Sequence, residues 1–212
     1  MSAKTEILRN IREALGTRAP DTPIEREYRQ APALTQADRI TLFTDRLQDY
    51  NATVYRTASV PEAIAEALRA RVKRGLLIPP SFPPHWLPAG FDFTSDDGLS
   101  YDVIDQSEGA LTACTAAIAL TGTIILSHSA HEGRRALTLI PDYHLCIVRV
   151  DQLADTVPEG IRALAGCRTS PITTISGPSA TADIEMIRVK GVHGPRTLDV
   201  IILEDVIIWE EP

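Results

Sequence analysis

The sequence is poor in cysteine, and the few cysteines lie far apart. Of its 212 residues only three are cysteines, Cys114, Cys146 and Cys167. An iron–sulfur cluster or a structural zinc site needs several such ligands at close, regular spacing, so this chain does not supply either by itself. We expect the cysteines to be buried as small apolar side chains. Cys167, in its polar Gly-Cys-Arg context, is the one thiol left as a candidate for reactivity.

The sequence also lacks long apolar runs and an excess of positive charge. No run approaches the length of about 18 residues that indicates a membrane-spanning helix. Lys and Arg number 21 against 28 Asp and Glu, a net charge of -7 that argues against a general nucleic-acid surface. Residues 1–12 are charged and amphipathic and have no signal-peptide pattern. We therefore expect a cytoplasmic protein with no membrane span and no nucleic-acid partner.

Apolar periodicity predicts a helical arm ahead of an α/β domain. Ile7, Leu8, Ile11 and Leu15 share one helical face, and Gly16 is a plausible end for that helix. The run from 18 to 32 is rich in proline and charge, which indicates an extended linker. We divide the chain into an arm, 1–32, and a domain, 33–212. Such an arm docks on its own domain or on a neighbour, which makes a homodimer a possible assembly.

Within the domain, helical and strand patterns alternate, and this order favours parallel pairing through right-handed crossovers. Short apolar runs that are β-branched and bounded by Gly or Pro predict buried strands. We expect helices at 35–50, 59–75 and 157–164, and strands at 52–56, 75–79, 101–105, 123–127, 145–150, 172–175 and 198–203. The predicted fold class is α/β, a mixed and mostly parallel sheet with flanking helices, antiparallel in part of its second half.

Two Gly-Pro turns near the end of the sequence lie among most of the candidate catalytic and ligand-binding residues. Glycine lets a ligand approach the main chain, and proline stiffens the loop around it. Carboxylates and a histidine beside these turns are candidate acid–base groups. The acid–base candidates are Asp183, Glu185 and His193, and the candidate ligand contacts are Ser176, Gly177, Ser179, Thr181, Gly194 and Arg196. Alternatively these are ordinary turns that end strands, with Asp183 capping a short helix.

Two earlier loops could bind an anion. The loop Thr121-Gly122-Thr123 offers two hydroxyls and backbone N–H groups to a phosphate or carboxylate, although it also suits a plain hairpin turn. The adjacent Arg134 and Arg135 could clamp such a group bidentately, or could be a solvated surface pair. We expect the loops at 121–123, 176–179 and 193–195 to meet at one rim of the sheet, with one of these arginines in reach.

Two further segments contain histidine. His128 and His131, next to Glu132, are residue types that bind metal ions. The segment, however, follows a predicted strand and is followed by Gly133, so a hydrated, flexible loop is favoured over a metal site. His144 follows a Pro-Asp turn, and we expect it only to cap the edge of a strand.

Taken together, the sequence motifs in these loops resemble those of the lactate-utilization C family (LutC/YkgG), whose domain is the LUD domain. The resemblance spans roughly residues 50 to 205 and rests on four motifs in order. These motifs are Thr121–Leu126, Leu139-Ile140-Pro141 with His144, Ser176–Ser179 with Thr181–Glu185, and Gly191–Arg196. Two positions depart from the family pattern, Leu120 where a Glu is common and Ala180 where an Arg is common.

The resemblance implies a fold similar to the NagB/RpiA/CoA-transferase group and a role in oxidising L-lactate to pyruvate. It implies two iron–sulfur partner proteins, which would hold the clusters while this chain holds no cofactor and binds a small carboxylate. It supplies no catalytic residue that can be transferred. The sequence has no Gly-x-Gly-x-x-Gly fingerprint and no flavin or haem motif. Two alternatives stay open: a stand-alone enzyme on a sugar phosphate, acyl-CoA or folate, with Asp183 or Glu185 as acid–base group, and a carboxylate-binding regulatory module.

Overall fold

The computed structural model describes residues 3–16, 34–167, 169–182, 188–190 and 194–204. The helices are α1 (Ala3–Leu15), α2 (Gln36–Asp49), α3 (Val60–Ala70), α4 (Tyr101–Asp105), α5 (Arg135–Leu139) and α6 (Val157–Arg162). The strands are β1 (Thr53–Thr57), β2 (Gly75–Ile78), β3 (Asp92–Ser95), β4 (Ala110–Thr112), β5 (Ala116–Ile118), β6 (Thr123–Leu126), β7 (Tyr143–Arg149), β8 (Leu153–Ala154), β9 (Thr173–Ile175), β10 (Ala180–Ala182), β11 (Arg188–Lys190) and β12 (Thr197–Leu203).

Six strands form a main sheet in the order β1-β12-β7-β4-β2-β3, and every pair in it is parallel. A second sheet has the order β8-β5-β6-β9, with antiparallel pairs on both sides of β6. Strands β10 and β11 pair antiparallel by themselves. The α/β prediction is confirmed, and the antiparallel portion expected in the second half is this smaller sheet.

The central strands of the main sheet, β12, β7 and β4, are buried on both faces, and most of their side chains are apolar. Successive side chains of a strand point to opposite faces, and in β7 they enter two different cores. Leu145 and Ile147 pack in the cluster that includes residues of α3, whereas Cys146 and Val148 pack with residues of α2 and the second sheet. Cys146 and Cys114 are buried, as the sequence predicts.

Two predicted strands differ from the structure. Residues 101–105 form α4, because the Ser100 side chain accepts a hydrogen bond from the backbone N–H of Val103 and caps a helix there. Residues 173–175 do form a strand, β9, but it is an edge strand that stays partly exposed and not a buried one. Its side chains alternate between half-buried and exposed because successive side chains point to opposite faces of the sheet. Among the described strands its neighbour is β6.

The arm is described only as far as its helix. Residues 3–15 form α1, and all of them are exposed. The predicted linker at 18–32 lies outside the described residues, so the boundary near residue 32 stays a prediction. None of the helices that the structure describes combines the length and apolar character needed to cross a bilayer.

Candidate functional site

A cavity of about 260 Å³ opens between the amino ends of β7 and β12 and the edge strand β9. Its walls carry five hydroxyl side chains and one imidazole, and we call it the hydroxyl cavity. The hydroxyls belong to Thr138, Thr173, Thr174, Ser176 and Ser179, and the imidazole belongs to His144. Hydroxyls both donate and accept hydrogen bonds, so this lining suits a small polar ligand.

The two Gly-Pro turns meet at this cavity. Gly177 and Gly194 both line it, each followed there by its proline. The backbone N–H of Ser179 donates to the carbonyl of Pro195 at 2.8 Å, which ties one turn to the other. The structure therefore brings two of the three expected loops to a single site, which lies at the amino ends of the parallel strands.

The Thr-Gly-Thr loop is connected to the cavity through a row of hydroxyls. Thr121 Oγ1 and Thr123 Oγ1 are 2.8 Å apart, and Thr123 Oγ1 lies 2.8 Å from the Oγ of Ser176. Gly122 itself faces away, towards α2, where an added Cβ would lie 2.7 Å from the Cβ of Arg46. The lack of a side chain at Gly122 thus lets α2 pack closely on this loop, and it does not open the backbone of the loop to a ligand.

His144 is the functional candidate that the sequence analysis undervalued. It was expected only to cap a strand edge, but it is the second residue of β7, is buried, and lines the cavity. Burial lowers the pKa of its imidazole to about 4, so the ring is neutral near pH 7. The one signal in the sequence was its position directly ahead of the apolar run 145–148.

One side of the His144 ring is held by a hydrogen bond. Its Nε2 lies 2.8 Å from Thr112 Oγ1, and either atom can be the donor of that bond, depending on the tautomer of the neutral ring. Within the described part of the chain Nδ1 has no hydrogen-bond partner. The tautomer that donates from Nε2 to Thr112 would leave the lone pair of Nδ1 to accept a bond from a ligand.

The candidate arginines do not line the cavity. Arg134 makes a bidentate ion pair with Asp96, at 2.8 Å from Nε and from Nη2, and also donates to the Leu99 carbonyl. This pairing lowers the pKa of the Asp96 carboxyl, whose side chain is almost fully buried. Arg135 begins α5 as an exposed side chain, and Arg196 is exposed 3.5 Å from Asp142. Arg134 therefore holds the 96–99 turn instead of reaching the rim of the cavity.

The acid–base candidates Asp183, Glu185 and His193 lie outside the described residues, and so they stay predictions. Thr181 is placed in the backbone of β10, opposite Val189 of β11.

The His128–Glu132 segment is tied down by its own side chains. Glu132 is buried and accepts hydrogen bonds from the backbone N–H groups of Ser127 and Ser129, at 2.7 and 3.1 Å. The segment is a loop, as expected, with Ser129 exposed, and these hydrogen bonds hold its backbone at the end of β6. The two histidines have different partners, His128 bonding Thr173 Oγ1 and His131 the Ser81 carbonyl. Across the described residues, no three His, Cys, Asp or Glu side chains are placed to hold a metal ion.

Comparison with known proteins gives a consistent family. The LUD domain matches residues 100–203, which include the hydroxyl cavity. The chain is 44% identical to lactate utilization protein C of Deinococcus radiodurans over 95% of both proteins. It is 31% identical to the uncharacterised protein YkgG of Escherichia coli over 97% of this chain and 100% of that one.

A crystal structure has the same fold. The DUF162 family protein from Deinococcus radiodurans superposes with a TM-score of 0.69 at 42% identity, and the match covers 80% of this chain and 99% of that one. Together with the LUD match and the identities along nearly the whole length, this shows that the chain belongs to the LutC/YkgG family of LUD-domain proteins, the family of lactate utilization protein C.

Proposed function

We propose that this protein is a non-redox subunit of an L-lactate oxidation system, acting with iron–sulfur partner proteins in the cytoplasm. The observation that carries the proposal is the near full-length similarity to relatives named for lactate utilization. Its part in that system is to hold a short hydroxy- or ketocarboxylate in the hydroxyl cavity.

The size and chemistry of the hydroxyl cavity support such a ligand. A volume of about 260 Å³ suits a three-carbon acid better than an acyl-CoA or a folate. The ligand's carboxylate would accept hydrogen bonds from threonine and serine hydroxyls, in an environment that carries no formal charge among the described lining residues. The hydroxyl at C2 would donate to Nδ1 of His144. A neutral imidazole is required for that bond, and the depressed pKa keeps His144 in this form.

The redox step needs an acceptor from outside the chain. Oxidation of lactate to pyruvate releases two electrons and two protons, and iron–sulfur proteins accept electrons of this kind. The proposal assigns the electrons to clusters in the partner proteins, since Cys114 and Cys146 are buried and Cys167 stands apart in the sequence.

Calorimetry with L-lactate and pyruvate, and lactate-dependent dye reduction by the reconstituted complex, test the proposal. We expect the isolated chain to bind one of the acids, and His144→Leu and Thr174→Val to weaken binding and dye reduction together. The exposed His85→Leu serves as the matched control and should leave both unchanged. Full dye reduction without this chain would overturn the proposal, as would turnover of a sugar phosphate by the chain alone.

A further inference from the structure

Three apolar side chains are exposed where α6 meets the second sheet. Leu120, Val157 and Ile161 have exposed fractions between 38% and 60%. Val157 and Ile161 are four residues apart and so share one face of α6. Leu120 follows β5, and its N–H donates to the carbonyl of Asp155 at 3.1 Å, two residues before Val157. We call these three side chains the α6 patch.

The helix α1 has an apolar face without a partner in the described structure. Ile7, Leu8, Ile11 and Leu15 are between 41% and 71% exposed, and none of the thirteen residues of α1 is buried. An isolated helix of this length is marginal in water, because the cost of nucleation is recovered over few hydrogen bonds. Packing of the apolar face against another surface would supply the missing stabilisation.

The chain enters its domain beside the α6 patch. The N–H of Leu34 donates to Oδ2 of Asp155 at 2.9 Å, and Arg39 pairs with the same carboxylate. Asp155 in turn holds Leu120 through its carbonyl and precedes Val157. The segment that leads from α1 to Leu34 therefore ends next to the patch. Residues 17–33 can span at most about 60 Å, so α1 is able to fold back onto it.

We propose that α1 packs its apolar face on the α6 patch of its own chain. Three observations together favour α1 as the helix that covers the patch. The apolar face of α1 has no partner among the described residues, the α6 patch is exposed, and the chain that leads from α1 enters the domain beside that patch. The docked helix would bury side chains of both partners and fix the arm to the flank of the second sheet, away from the hydroxyl cavity at β9.

Disulfide trapping in the full-length chain tests the docking. The variant carries Leu15→Cys and Leu120→Cys, with Cys167→Ser to remove the partly exposed native thiol. We expect oxidation to give a cross-link within the monomer, at a rate independent of protein concentration. The matched control replaces Leu15→Cys by Arg9→Cys, on a different face of α1, and should cross-link at least about tenfold more slowly.

A second variant avoids any engineered bond. Ile161→Glu should speed proteolytic release of α1 by about tenfold, because it places a charge against the apolar face of α1. Cross-linked dimers in place of the monomer would show that a second copy is the occupant and would overturn the proposal. Equal rates for the two cysteine pairs, or no change in proteolysis, would show that α1 does not dock and would equally overturn it.

Discussion

His144 is a buried imidazole that has no charged partner among the described residues, and this has a consequence for stability. Its pKa is about 4 in the folded protein against an ordinary value near 6.5, because burial penalises the charged form. Between these two values the unfolded chain binds more protons than the folded one. The contribution of a neutral His144 to the free energy of unfolding is therefore fully present above about pH 6.5 and decreases as the pH drops towards 4.

We predict that this single residue removes about 3 kcal/mol of stability between pH 6.5 and pH 4, since one pKa unit corresponds to about 1.4 kcal/mol. Urea unfolding at several pH values measures it, and His144→Leu should give a flatter profile than the wild type. The carboxyls of Asp96 and Asp151 have lowered pKa values, so the stability that these two groups contribute is lost at a more acid pH than that of His144. Parallel profiles for wild type and variant would contradict the prediction.

The Arg134–Asp96 ion pair allows a test that separates a structural arginine from a ligand contact. Arg134→Ala leaves a buried carboxylate unpaired, and we predict a loss of about 2–3 kcal/mol, less than for a fully buried pair because Arg134 is itself partly exposed. Denaturant midpoints measure it. The neighbouring Arg135→Ala should change stability by less than about 0.5 kcal/mol. An unchanged stability for Arg134→Ala would refute the structural role.

Single residues were harder to place from the sequence than the segments that contain them. The adjacent arginines 134 and 135 suggested one shared anion clamp, but the carboxylate that takes Arg134 lies 38 residues earlier, in a loop without a pattern of its own. His144 was undervalued because the Pro-Asp turn ahead of it suggested only a strand edge, whereas its partner Thr112 lies 32 residues earlier in the chain. Both roles arise from contacts that are distant along the chain.

At the scale of elements, α2 shapes two loops around the site. An added Cβ at Gly177 would lie 2.4 Å from the Cβ of Tyr50, the residue that ends α2, and at Gly122 it would meet Arg46. Both glycines also have positive φ angles, 92° and 60°. The turns need glycine because a helix packs on them, and Gly177 sets the position of a turn that lines the cavity.

Gly98 offers a matched control for this packing. Its φ of 89° is nearly that of Gly177, but none of the described atoms lies within 4 Å of its added Cβ. We predict that Gly98→Ala costs about 1–2 kcal/mol from backbone strain alone. Gly177→Ala should cost a further 1–3 kcal/mol, roughly, from the clash with Tyr50. Urea unfolding of both variants measures the difference, and equal losses would rule out the packing argument.

The elements of the main sheet were predictable where their patterns were long. The apolar run of β12 correctly indicated a buried strand, and the alternation of helix and strand around α3 correctly indicated a parallel sheet. The segment 101–105 was mistaken for a strand because five residues are too few to show the 3.6-residue period of a helix, and its apolar residues suit a strand equally well. Its helix depends on the cap at Ser100, a local signal that the pattern of apolar residues does not contain. The meeting of the two Gly-Pro turns was expected from the motifs, and so was a strand at 172–175, but its position at the edge of the second sheet was not.

For the whole molecule, we predict that the purified chain contains no stoichiometric iron or zinc. A thiol must lose its proton to bind a metal, and contact with Cys146 together with burial raises the pKa of Cys114. Elemental analysis of protein prepared without chelator measures the metal content. Iron or zinc at one equivalent would contradict the prediction.

The order of strands in the main sheet bears on how the protein is made. β12 lies between β1 and β7, so strands separated by about 140 residues of sequence, 53–57 and 197–203, must become neighbours. Until the ribosome has released β12, β1 has no partner strand among the described residues and β7 presents an open edge. Pairing between distant segments is slow, and an open apolar edge invites association between nascent chains. A chaperone that shields β7 during translation would thus act at the step where this topology is most vulnerable.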